Sequence, residues 1–175
     1  VVLPTTEAYL TVKYTSASTR MDMFGVRSSG NNYTSAFYVA YAEVWGAGLQ
    51  LRIINGSNVE LGIILSKGIH ELTLKPNVFI LDGNTYNCGT NSGSNYNIYC
   101  MSWNNGGTAE SNRMNGQCMA YLKLKNTSGG DLNLVPCMHI INGNLEIGML
   151  DSINAVFYQN AGSGSFTITE QILNN

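Results

Sequence analysis

Charge is scarce in this chain: Asp, Glu, Lys and Arg make up 11% of its 175 residues, against roughly 25% in an ordinary globular protein. The signs nearly cancel, leaving a formal net charge of -2 and a pI near 5.6. Nucleic-acid binders are typically basic, so no nucleic-acid partner is expected. No apolar run approaches the roughly 20 residues that a membrane-crossing helix needs, and no membrane partner is expected either. Cys-x-x-Cys is absent, and the two histidines, His70 and His139, stand far from any zinc-ligand spacing. Asp82-Gly83-Asn84 begins like a calcium loop but lacks the acidic ligands that would follow, so it reads as a turn. The expectation is therefore no metal and no cofactor. Four cysteines, Cys88, Cys100, Cys118 and Cys137, permit three pairings. They are too few for the dense scaffold of a small secreted domain, and they read as free thiols packed like small apolar residues.

Catalytic patterns are missing too. Glycoside hydrolysis normally takes two carboxylates about 5–9.5 Å apart, yet Asp22, Glu43, Glu60 and Glu71 each stand alone among apolar or neutral neighbours. Neither histidine lies near a Gly-x-Ser-x-Gly elbow. His70, sharing a face with Leu72 and Leu74, reads as a hydrogen-bonded residue at a strand end. The chain is not expected to be an enzyme. A hydrolase with a non-standard carboxylate pair, formed across strands, is the remaining catalytic alternative.

Glycine and asparagine supply polarity in place of charge. Both tolerate positive φ, which suits many short strands joined by turns. Leu10, Val12 and Tyr14 alternate with Thr11, Lys13 and Thr15, as a strand with one buried face requires. Met21–Val26, Ala36–Trp45, Leu49–Asn55, Val59–Leu65, Ile69–Lys75, Asn77–Leu81, Thr85–Cys88 and Ile98–Trp103 read as further strands. Tyr38, Ala40 and Ala42 fall on one face of the third, and Phe37, Val39 and Tyr41 on the other. Ala120–Lys125 puts Ala120, Leu122 and Leu124 opposite Tyr121, Lys123 and Lys125. The strand resuming at Leu132 is expected to break at Pro136, which has no N–H to give a ladder. Asn142-Gly143, between Met138–Ile141 and Leu145–Ile147, is a strong signal for a tight hairpin turn. Residues 89–97 and 104–116 read as long loops, with a short helical turn conceivable over Ala109–Met114. Regular short strands with almost no helical period predict one all-β domain over 1–175, a two-sheet antiparallel β-sandwich. Val1-Val2-Leu3-Pro4 reads as the lead-in to a domain of a longer protein, so we expect a fragment.

One stretch carries a family resemblance. Val135-Pro136-Cys137, the Asn142-Gly143 turn, Gly148-Met149-Leu150-Asp151 and Phe157-Tyr158 through Gly162-Ser163-Gly164-Ser165-Phe166 follow in order. Phe24-Gly25-Val26-Arg27, Gly68-Ile69-His70 and Val78–Gly83 precede them. The pattern resembles concanavalin A-like (laminin-G-like) jelly-roll domains of bacteriophage tail-fibre and receptor-binding proteins and of host surface proteins. It departs from them at Leu150, where tyrosine is usual. The resemblance covers nearly the whole chain. It implies a concanavalin A-like jelly roll, a place at the phage tail tip in the virion or on a bacterial cell surface, and a homotrimer. A fold does not fix a function.

For function, saccharide recognition is the leading expectation: a non-catalytic receptor-binding head that recognises host cell-surface polysaccharide. Sugars present apolar C–H faces and many hydroxyls, so their sites pair an aromatic ring with amides and carboxylates. Trp103 followed by Asn104 and Asn105, Trp45 before a Gly-rich turn, and Tyr41 are the candidate ligand-binding residues. Arg52 is added as a bidentate donor to a phosphate or carboxylate on a decorated polymer. A structural or trimerising decoration module that touches no sugar is the second expectation. Asn32-Tyr-Thr34, Asn55-Gly-Ser57 and Asn126-Thr-Ser128 match the glycosylation pattern, as an Asn-rich chain does by chance.

Overall fold

Glu7–Tyr14 (β1) alternates half-buried and buried residues along its whole length, the mark of a strand with one face on a core. The computed structural model describes residues 1–15, 21–28, 33–44, 48–102, 104–109 and 117–160. Within them β1 is followed by Met21–Arg27 (β2), Phe37–Val44 (β3), Gly48–Asn55 (β4), Asn58–Glu60 (β5), Gly68–Lys75 (β6), Val78–Leu81 (β7) and Asn84–Asn87 (β8). Tyr99–Cys100 (β9), Asn104–Asn105 (β10), Thr108–Ala109 (β11), Gln117–Lys125 (β12), Leu132–Ile141 (β13), Asn144–Asp151 (β14) and Val156–Gln159 (β15) complete the order. No helix occurs among the described residues.

Two sheets result. One runs β15-β14-β13-β12-β1-β6-β7-β8; the other runs β11-β10-β2-β3-β4-β5, with β9 also paired to β2. Among the described residues every pairing between these strands is antiparallel except β10 with β2. The chain is thus an all-β, two-sheet sandwich. Its core lies between the sheets. Ala8, Leu10 and Val12 of β1, Leu72 and Leu74 of β6, Phe79 of β7, and Leu122 and Leu124 of β12 face Met21, Phe24 and Val26 of β2, Phe37 and Val39 of β3, and Leu51 and Ile53 of β4. A register shift between Asp22 and Phe24 bulges β2.

The second sheet is buried on its other face as well. Ala36, Tyr38, Ala40 and Ile54 form a separate apolar cluster there, with Tyr33 packed against it. Gly25 makes this possible. A Cβ at Gly25 would stand 1.9 Å from the Cβ of Tyr38, so only glycine lets the Tyr38 side chain cross β2.

Three expectations need correction. The strand expected over Val59–Leu65 shortens to β5, because Gly62 takes a left-handed φ of 68°. Ile98–Trp103 shortens to β9 for the same kind of reason, with Met101 at φ 55°. Pro136 does not break its strand: β13 runs through it, opposite Met149. The ladder with β12 ends at Leu134, so the missing N–H lies where no partner strand needs it. The Asn142-Gly143 turn forms as expected, with both residues at positive φ, 52° and 82°, as a type I′ turn requires. Of the conceivable helical turn, Ala109 belongs to β11 and 110–114 lie outside the described residues.

Candidate functional site

Strand register puts four polar and small residues in one row on the outer face of the second sheet. Asp22 pairs with Ala40, Ala40 with Arg52, and Arg52 with Glu60. Asp22 and Ala40 are fully buried. Toward the β5 edge the row opens to solvent, the Arg52 side chain being 17% and Glu60 38% exposed.

Arg52 is held from three sides. Its Nε donates to Asn58 Oδ1 at 2.7 Å and lies 3.9 Å from Glu60 Oε1. Its Nη2 donates to the Tyr33 hydroxyl at 3.1 Å. The guanidinium carbon also stands 5.7 Å from the centre of the Tyr33 ring, within cation–π range. Asn58 Nδ2 in turn donates to Glu60 Oε1 at 3.0 Å. A ring, a guanidinium, an amide and a carboxylate therefore meet at one partly open edge, each orienting the next. This is the set of groups that hydrogen-bonds vicinal hydroxyls while a ring covers C–H surface. Asp22 and Glu60 are three strand spacings apart in this row, about 14 Å at 4.8 Å per strand. That lies outside the range in which two carboxylates act on one glycosidic bond.

Other expected ligand residues are placed differently. Tyr41 is 2% exposed and packs edge-on against Tyr14, ring centres 5.4 Å apart. It is a core residue, and burial, with Tyr14 beside it, pushes its hydroxyl above the ordinary value. Asn104 is also buried, and its amide is spent within the fold: Nδ2 donates to Asn97 O at 2.9 Å, and Oδ1 accepts from Gly107 N at 2.6 Å. Asn105 accepts from Arg27 Nε through Oδ1 at 2.9 Å. Tyr41 and Asn104 are thus enclosed in the fold rather than presented at a rim. Trp45 and Trp103 lie outside the described residues. Of the expected ligand residues whose side chains are described, Arg52 stands in a preformed polar cluster at a partly open edge. Its partners Asn58 and Glu60 were legible in principle, since the Asn55-Gly56 turn sets the register that places Glu60 opposite Arg52.

A groove of about 440 Å³ opens beside the start of β3, lined by Leu3, Ser28, Ser35, Ser92, Asn95 and Tyr96 among others. Ser28 and Ser35 hydroxyls bond each other, and Ser92 Oγ donates to Thr34 O at 3.0 Å. Tyr96 is partly exposed at its rim.

His70 is buried, its Nδ1 2.7 Å from Asp82 Oδ2 and its Nε2 2.8 Å from Ser66 O. Burial opposes a charged ring, but the bonds to Asp82 and Ser66 outweigh it and raise its pKa. This is the strand-end histidine expected. Cys88, Cys100 and Cys137 are free. Cys100 keeps some exposure as a residue, yet its thiol is enclosed, and burial pushes it up to about 12. No group of three or more His, Cys, Asp or Glu that could hold a metal occurs among the described residues. Compared with protein-family models, curated proteins and solved structures, the chain matches none.

Proposed function

We propose that the chain is a carbohydrate-recognition domain of concanavalin A-like jelly-roll type, the non-catalytic receptor-binding head of a phage tail fibre that meets host cell-surface polysaccharide. A bacterial surface protein is the alternative setting. The observation that carries the reading is the Arg52–Tyr33–Asn58–Glu60 cluster at the open edge of the second sheet. Its groups are held by one another, so little side-chain freedom is lost on binding. Contacts of this size bind weakly one at a time, and copies on one assembly supply avidity. The test is glycan-array and calorimetric binding with wild type and Arg52→Ala. Loss of at least about tenfold in affinity for a bound glycan, with melting temperature unchanged, is the expected result. Wild type that binds no host polysaccharide, or Arg52→Ala that binds as well as wild type, overturns the assignment.

A structural, trimerising role is the second reading, and one observation favours it. The core-facing side of β13–β15 continues from Leu134 and Met149 to Met138, Ile140 and Leu145, which are 55%, 68% and 64% exposed. A second copy of the chain suits this face, since it continues the apolar core and carries no charge between Pro136 and Ile140 on that side. Light scattering on wild type and Ile140→Lys tests it: a trimer that becomes a monomer supports the reading, and a monomeric wild type overturns it.

A further inference from the structure

Lysine is rare here, with five in the chain, and the fold gathers four of them. Lys123 and Lys125 alternate with buried Leu122 and Leu124 on β12, Lys13 alternates with Val12 and Tyr14 on β1, and Lys75 follows buried Leu74 on β6. Strands β12, β1 and β6 are neighbours, so all four project from the solvent face of the eight-stranded sheet. Register sets Lys125 opposite Glu7 and Lys123 opposite Tyr9, with Tyr9 opposite Thr73 and Thr11 between Tyr121 and Glu71. The face thus interleaves four ammonium groups with two tyrosines, two threonines and two carboxylates.

The carboxylates offset the lysines only in part, two negative charges against four positive on this face. Glu7 Oε2 takes the Tyr9 hydroxyl, and among the described residues Lys75, Lys123 and Lys125 make no ion pair. Instead Lys75 Nζ and Lys125 Nζ both stand over the Tyr9 ring, 5.3 and 5.5 Å from its centre. Two ammonium groups on one ring repel each other, and each cation–π contact at an exposed site is weak. Register sets Glu7 opposite Lys125, and extending the Ala8–Leu74 pairing by one residue puts Lys75 on its other side, so Glu7 offsets part of this charge and a bound anion gains from the excess that remains. Strand neighbours recur about every 4.8 Å across the sheet and alternate residues about every 6.8 Å along it. The charges are therefore spread over a flat surface rather than focused in a pocket, which suits a polymer with repeating anionic groups.

We propose that this face, through Lys75, Lys123, Lys125 and Tyr9, binds an anionic surface polysaccharide whose repeating carboxylates or phosphates engage the lysines while the tyrosine ring lies against sugar C–H surface. This does not rest on the Arg52 reading, which concerns the other sheet and needs no charge on the glycan.

The experiment measures binding of the full chain to polygalacturonate, to poly(glycerol phosphate) and to uncharged dextran, as a function of salt. Wild type is expected to bind at least one polyanion and not dextran, with affinity falling as salt rises, because bound lysines release counterions. Lys75→Gln/Lys123→Gln/Lys125→Gln is expected to bind at least about tenfold more weakly, with a flatter salt dependence, whereas Lys67→Gln, exposed and outside the strands of this face, binds the polyanion as wild type does. The two polyanion arms separate carboxylate from phosphate recognition. Acetylation of the wild type gives a second readout that needs no variant: the polyanion should protect Lys75, Lys123 and Lys125 but not the exposed Lys67. Absence of binding to both polyanions, equal protection of Lys67, unchanged affinity of the triple variant, or equal binding of single-stranded DNA would overturn the proposal.

Discussion

Asn55, wholly buried at the end of β4, ties the two sheets and a long loop together, and its removal gives the most direct test of how this sandwich is held. Its Nδ2 donates to Lys75 O, on the opposite sheet, at 2.9 Å. Its Oδ1 accepts from Asn91 N at 3.1 Å and Asn91 Nδ2 at 2.8 Å. Asn91 in turn accepts from Gly93 N at 2.8 Å, so the chain that lines the groove beside Ser92 and Asn95 hangs on this amide. Asn55→Ala deletes these three hydrogen bonds and a long one from Nδ2 to Cys88 Sγ, and leaves the backbone and side-chain N–H groups of buried Asn91 without their acceptor. At about 0.5–1.5 kcal/mol for each bond, with a further penalty for an unsatisfied buried group, the loss is about 3–5 kcal/mol. For a chain of this size that corresponds to a melting temperature lower by about 6–20 °C.

The assay is calorimetric melting of wild type, Asn55→Ala, Asn91→Ala and the double variant. Because the two amides bond each other, the double variant should lose less than the sum, with a coupling of about 1–2 kcal/mol. Gly56→Ala approaches the same contact from the backbone: a Cβ there would lie 2.0 Å from Thr90 O, at a φ of 77°, and should also be costly. A shift of under 2 °C for Asn55→Ala, or strict additivity of the pair, would refute the reasoning.

Three further outcomes follow from the described geometry. Because His70 is raised in the folded chain, its contribution is full below its unfolded value of about 6.5 and is lost as pH rises through the folded value. Denaturant titrations from pH 6 upward should show this decline in wild type and not in His70→Gln, and identical slopes would contradict it. Asp151 is buried and accepts from Asn133 N, Ile153 N and Asn154 Nδ2; burial works against its charge, but these bonds hold its carboxyl below the ordinary value. Its contribution is full above an unfolded pKa of about 3.9 and fades as pH falls through the folded value, so Asp151→Asn should flatten the acid limb of the stability curve. Thiol titration of the unreduced, denatured protein should count four cysteines, and in the native state Cys100 should react only on unfolding, its thiolate being scarce.

Much of the architecture was legible because alternation is a local signal. Leu10, Val12 and Tyr14 on β1, or Leu122 and Leu124 on β12, announce both strand and core face without reference to anything distant. Strand ends were less legible where one residue left the extended region, as at Gly62 and Met101. Gly62 was a mark of a bend that the alternation of its neighbours masked, whereas Met101 carries no mark in sequence that separates a bend from a continuing strand. The site was harder still. Tyr41 and Asn104 looked like ligand groups by type and position, yet a tyrosine opposite a second core ring and an asparagine bonding its own loop are indistinguishable from exposed ones until the partners are placed. Arg52 was legible as a donor. What makes it a cluster, Tyr33 from nineteen residues upstream and Asn58 from six downstream, depends on register.

The doubly buried second sheet limits where its polar side chains meet solvent. Its inner face belongs to the core and its outer face to Ala36, Tyr38, Ala40 and Ile54, so the middle of that sheet has no room for a ligand. Among the described residues, polar side chains of this sheet reach solvent toward its edges, and Arg52, Asn58 and Glu60 collect at the β5 edge. The other sheet keeps a wet face, and nearly all the lysine sits on it. In a chain so poor in charge, four of five lysines on three adjacent strands set a local field that the net charge of -2 conceals. Electrostatic attraction depends on that local field within about 10 Å at ordinary salt, not on the total. If both proposals hold, an anionic polymer and an uncharged glycan meet this sandwich on opposite sides, and substitution of Lys123 should weaken the first while leaving the second unchanged.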